Sequence, residues 1–323
     1  MDSLTKREIR KVNSIIGGAL MCFILFGMGY AKFLVACKSN GWFDITYDVG
    51  CMLQIIYTLL CVFLPFLVAN SIIRKIQNKG PDNLPLNKPA DPILFRSVVF
   101  IGMMAMLLCN FLTAYFVVSM EHFGFTFDNF DFPSPDTPSG YFWLLISSAI
   151  APALVEEYAM RGVVLQSLRR YGERYALVVS SLIFALMHGN MTQAPFAFML
   201  GLVIGRIVLE TESMWTGILI HVINNSYAVL MTAVGDNLGD AVQVKLVIVF
   251  TTLIFTAGII SMIWLYTIHP EKRKKKLKEP GGKHPEGKKE YRKNAWASTM
   301  SAVPMVISLV WLVIDVVKTV HLH

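Results

Sequence analysis

Nine apolar runs, most of them near twenty residues long, recur along this 323-residue chain, at roughly 14–36, 51–73, 97–120, 141–164, 176–194, 195–210, 214–234, 244–268 and 296–320. About twenty apolar residues are what a helix needs to cross the ~30 Å hydrocarbon layer of a bilayer. Inside that layer a helix satisfies its own backbone hydrogen bonds, which an open sheet or loop cannot do. The runs therefore predict an all-α, polytopic transmembrane bundle of nine spans, or eight if the short 195–210 run does not cross. Composition agrees: 54% of residues are hydrophobic and 16% charged, against about 25% charged in soluble domains.

Lys and Arg in the loops set the orientation. The N-terminal "MDSLTKREIRKVN" is basic and is expected in the cytoplasm. Alternating from there, Arg74, Lys75, Lys79, Lys88, Arg96, Arg169, Arg170 and Arg174 also fall inside, with the eleven Lys and Arg of 271–293. The loops 121–141 and 235–243, assigned outside, are acidic or nearly uncharged. A multi-pass protein of the cell membrane with a cytoplasmic N-terminus follows. The net charge of +7 then says little about nucleic acid, and no nucleic-acid partner is expected. The basic loop should meet anionic lipid headgroups, each cation contributing about 1 kcal/mol. The five cysteines form no CxxC pair. They read as small apolar residues in or beside helices, with a Cys37–Cys51 disulfide left open.

Ionisable residues at membrane depth are expensive and mark function by default. Few qualify: Glu156, Glu157 and Arg161 in the fourth span, His188 in the fifth, and His221, Asn224 and Asn225 in the seventh. At about 1.5 Å per residue, Glu156 and His221 share the cytoplasmic half, Asn225 is one turn deeper, and His188 is near the middle. Four polar residues from three helices are thus expected around one cavity opening toward the cytoplasm. Glu157 and Arg161 are spaced i,i+4 with the acid first, the favourable order on a helix face. Glu156 points about 100° away, free to face the cavity. His221 and Asn225 share one stripe, Asn224 is rotated off it, and Phe184 sits one turn before His188 as an apolar wall. "GLVIG" at 201–205 is a small-xxx-small pattern for close helix packing.

Three motifs now stand in order: "EEYAMR" (156–161) fits EExxxR, "FALMH" (184–188) fits FxxxH and "HVINN" (221–225) fits HxxxN. Together they resemble the CAAX-processing and bacteriocin-processing (CPBP or Abi) intramembrane protease family, relatives of the type II CAAX prenyl endopeptidases. The resemblance covers about 150–230. It implies an endopeptidase acting on a membrane-associated peptide or protein. Glu156 would activate water with His188, His221 and Asn225 would stabilise the oxyanion, and Glu157 and Arg161 would support them. A division into N-terminal helices (1–140), a catalytic core (141–235) and C-terminal helices with a basic loop at 269–294 (236–323) follows.

No cofactor is favoured. Zinc held by Glu156, His188 and His221 is the alternative, but the chain lacks an HExxH helix, which would set two ligands one turn apart around a base. Two other function classes stay open: a pseudoprotease serving as a membrane scaffold or regulator, and a proton-coupled transporter. Against the transporter, the halves show no repeat and no pair of broken helices.

Overall fold

A computed structural model describes residues 3–42, 45–78, 84–87, 91–128, 134–268 and 295–322. Each apolar run becomes a helical rod. In order they are α1 (Ser3–Asn40), α2 (Tyr47–Ile76), α3 (Pro92–His122), α4 (Pro138–Arg169), α5 (Glu173–Leu186), α6 (Ala194–Thr211), α7 (Met214–Leu238), α8 (Asp240–Ile268) and α9 (Val303–Val317). Two short strands, β1 (Phe125–Phe127) and β2 (Val320–Leu322), pair antiparallel. The fold is an all-α polytopic bundle.

The count of full spans needs correcting. Among the described residues seven helices are long and apolar enough to cross a membrane. The other two rods, α5 and α9, have 14 and 15 residues. At 1.5 Å per residue α5 reaches about 21 Å, short of the hydrocarbon thickness. It stops because the chain turns at Gly189, whose φ is +70°, a conformation glycine adopts without strain.

Helix starts follow their sequences. Asp91 accepts hydrogen bonds from the Ile93 and Leu94 amides at 2.9 and 3.1 Å, with Pro92 as the first helical residue. Thr137 caps α4 in the same way through Gly140, ahead of Pro138. Such caps satisfy N–H groups that the first turn leaves over. Two prolines lie inside helices instead. Pro65 and Pro152 each follow a π-wound segment, Thr58–Phe63 and Leu145–Ile150. A proline has no N–H and crowds the carbonyl four residues back, so wider winding just before it relieves both problems.

Close packing fixes the rods. A Cβ placed on Gly201 of α6 would lie 2.9 Å from the Ser181 Cβ of α5, and one on Gly205 would lie 2.5 Å from the Leu177 Cδ1. The small-xxx-small stripe therefore seats α6 on α5. Gly17 likewise lets α1 meet the α9 backbone at Met305, and the Ser308 hydroxyl donates to the Gly17 carbonyl at 2.9 Å. The five cysteines are free thiols, Cys37 and Cys51 included, and four of them are buried.

Contacts between rod ends sort onto two faces. On the first, Arg170 pairs with Glu8, Gln77 donates to the Ser167 carbonyl, Arg169 grips Glu212, and the Met214 amide donates to the Pro85 carbonyl. On the second, Ser139 donates to Asp48, Tyr141 to Asp236, and the Met191 amide to Thr319 beside the β1–β2 ribbon. This is what serial up-and-down helices require. The basic loop 271–293, with Lys79 and Lys88, lies outside the described residues.

Candidate active site

The site is built around one buried carboxylate. Glu157 of α4 is fully buried, and Arg161, one turn on and 1% exposed, donates to its Oε1 at 2.8 Å. The i,i+4 pairing expected from the spacing is present, and it leads from Glu157 into a third π-wound segment, Tyr158–Leu165, that begins just past it. Arg161 also donates to the Gly201 carbonyl at 3.3 Å and covers the face of the Phe184 ring at 4.7 Å. From α7, His221 brings its Nδ1 to the same Glu157 oxygen at 3.0 Å. Gly217, one turn before His221, makes that approach possible: a Cβ there would lie 3.0 Å from Glu157 Oε2.

Glu156 faces the other way. It lines a cavity of about 290 Å³ together with His188, Phe184, Met160 and residues of α2. His221 Nε2 stands 3.8 Å from Glu156 Oε2. His188 is not in a helix, as its apolar surroundings led one to expect. It follows the end of α5, in the 187–193 connection. Irregular backbone at membrane depth is tolerated where protein buries it or it lines a cavity, and here its groups find partners. The His188 amide donates to the Ala185 carbonyl, and the Asn190 side chain accepts from the Gln193 amide and the Thr192 hydroxyl at 2.8 Å. His188 Nδ1 lies 2.8 Å from the Phe184 carbonyl. A carbonyl only accepts, so the proton sits on Nδ1 and leaves Nε2 as an acceptor. Phe184 presents its ring edge-on to both His188 and His221. It is the wall expected for His188 and serves both histidines.

Asn225 shares the α7 stripe with His221, and both face α4. Its amide donates to the Ser148 carbonyl at 3.2 Å. Pro152, four residues past Ser148, has no N–H to offer that carbonyl, and Asn225 supplies one from outside the helix. Asn224 is not independent of it: its Nδ2 donates to Asn225 Oδ1 at 2.8 Å. Asn225 does not line the cavity that holds Glu156 and His188.

Two features escaped the sequence reading. The cavity reaches from Glu156 toward the second face, not the basic one, because the 187–193 connection forms part of its wall. Gln54, Tyr57 and Thr58 of α2 line it as well. Their polar character at i, i+3 and i+4 within the apolar 51–73 run was the available signal.

Residues 138–227 match the family model described as type II CAAX prenyl endopeptidase Rce1-like. The matched segment is similar to the CAAX-processing protease family. The family is one of intramembrane endopeptidases, and the match takes in all three motifs, from the start of α4 to the middle of α7. The other helices of the chain lie outside the matched segment. No curated protein and no solved structure matches. Among the described residues, no group of three His, Cys, Asp or Glu side chains converges as a ligand set.

Proposed function

We propose that this chain hydrolyses a peptide bond of a membrane-associated peptide or protein, with Glu156 as the general base. The observation that carries the reading is the shared cavity. Glu156 and His188 line one pocket, and His221 approaches the same carboxylate from α7. Glu156 takes a proton from a water held against His188 Nε2, and the hydroxide adds to the scissile carbonyl carbon. The carbonyl oxygen becomes an oxyanion, to which His221 Nε2 and the Asn225 amide donate. Collapse breaks the C–N bond, and the proton on Glu156 passes to the leaving amine, which restores the carboxylate. For Nε2 to donate while Nδ1–H meets Glu157, the His221 ring carries both protons.

In this reading the first face is cytoplasmic and the protein resides in the cell membrane. Arg7, Arg10, Lys11, Arg74, Lys75 and Arg174 at the ends of α1, α2 and α5 support it. The basic loop meets anionic lipids there. The test of function is a comparison of membrane proteomes carrying wild-type or Glu156→Gln chain. New peptide termini should appear with wild type alone, and identical sets would overturn the reading.

Asn225 separates ground state from transition state. Removing one oxyanion donor typically lowers kcat by about 10²–10³. Asn225→Ala should do so with KM little changed, since the bond forms only as charge develops. Asn224→Ala removes the donor that orients the Asn225 amide, so it should lower kcat by a smaller factor in the same steady-state assay. A rise in KM alone for Asn225→Ala would return that residue to a packing role.

The metal question has its own readout. The purified chain should contain well under one zinc, and chelators should leave turnover intact. Stoichiometric zinc that depends on Glu156, His188 and His221 would reverse the assignment to a glutamate-activated water.

A further inference from the structure

We propose that the C-terminal segment 295–322 is a brace for α5, and that Thr319 is a positioning residue for the connection bearing His188; this rests on the endopeptidase reading. α5 is too short to be held by the bilayer alone, yet its C-terminal end must keep His188 opposite Glu156. The C-terminal segment grips both of its ends.

At the first-face end, the Tyr175 hydroxyl lies 2.6 Å from the Thr299 hydroxyl and also exchanges hydrogen bonds with the Asn13 amide. All three side chains are buried. At the other end the Met191 amide donates to Thr319 Oγ1 at 3.1 Å. The Thr319 hydroxyl passes its own proton to the Val316 carbonyl at 2.7 Å, so both of its functions are used. Its backbone is pinned from the far side. The Asp128 amide donates to the Thr319 carbonyl at 3.0 Å, and β2, the next residues on, pairs with β1. Thr319 therefore stands between an anchored ribbon and the connection, three residues from His188.

Met191 lies where the backbone makes no helical ladder, and its part-buried N–H depends on Thr319 for a partner. Take the hydroxyl away and the connection must move to find another acceptor. Misplacement of a catalytic group by about 1 Å can cost about 10² in rate. The loss of one neutral hydrogen bond, worth about 1 kcal/mol, sets the smaller scale expected here.

The experiment compares Thr319→Val, which keeps the shape without the hydroxyl, with Thr319→Ser, which keeps the hydroxyl. Both are made in the full chain, with Glu156→Gln as the reference. Thr319→Val should lower kcat about fivefold with KM within about twofold, and Thr319→Ser should restore it. Hydrogen exchange over the 187–193 connection should be faster in Thr319→Val than in wild type. Unchanged kcat, or serine as impaired as valine, would overturn the positioning role. If Glu156→Gln keeps wild-type turnover, the endopeptidase reading fails instead. Exchange at 187–193 then still decides the brace, which falls if Thr319→Val exchanges like wild type.

Discussion

Glu156→Gln should insert, fold and hydrolyse no peptide. The amide keeps the size of the carboxylate but cannot take a proton from water. General bases contribute about 10²–10⁴ to rate, and the remaining catalysis over water would be lost in the background. Little stability should go with it. The Glu156 side chain is 24% exposed to its cavity, and its approach to His221 is a loose 3.8 Å. The measurement is steady-state turnover of a fluorogenic peptide by purified chain, with a thermal midpoint on the same sample. Wild-type turnover in the variant would refute the assignment of the base.

Its neighbour should behave in the opposite way. Glu157→Gln leaves the buried Arg161 guanidinium without its charge partner and weakens the acceptor that holds His221 Nδ1. Breaking a buried pair by removing one partner typically costs about 3–5 kcal/mol. The thermal midpoint in detergent should therefore fall sharply, and activity should be lost along with the folded chain. A Glu157→Gln protein as stable as wild type but inactive would mean that the two adjacent glutamates have been given each other's roles.

Much of this was legible because it depends on short-range geometry. Apolar run length gave the nine rods, and i,i+4 spacing gave the Glu157–Arg161 pair and the common stripe of His221 and Asn225. What failed depends on distant partners. "FALMHGNM" reads as helix through His188, and its termination rests on Gly189, on the Asn190 side chain and on Thr319, far along the chain. The tilt of the cavity toward the second face follows from that same connection. Asn224 and Asn225 point about 100° apart along their helix, yet their flexible amides meet. No pattern of spacing specifies where such a terminal torsion comes to rest.

The proline in α4 has an implication for how this architecture can vary. Ser148 lacks its usual in-helix donor because Pro152 sits downstream, and the Asn225 amide is the substitute. The resting orientation of a candidate transition-state donor is therefore written partly by a helix irregularity in another rod. Put an ordinary residue at 152 and its N–H competes for that carbonyl, so Asn225 loses its parking place although no cavity-lining carboxylate or histidine has changed. Positions 152 and 225 are thereby linked through the Ser148 carbonyl. A lineage that straightens α4 has to find a new way to aim the amide of α7.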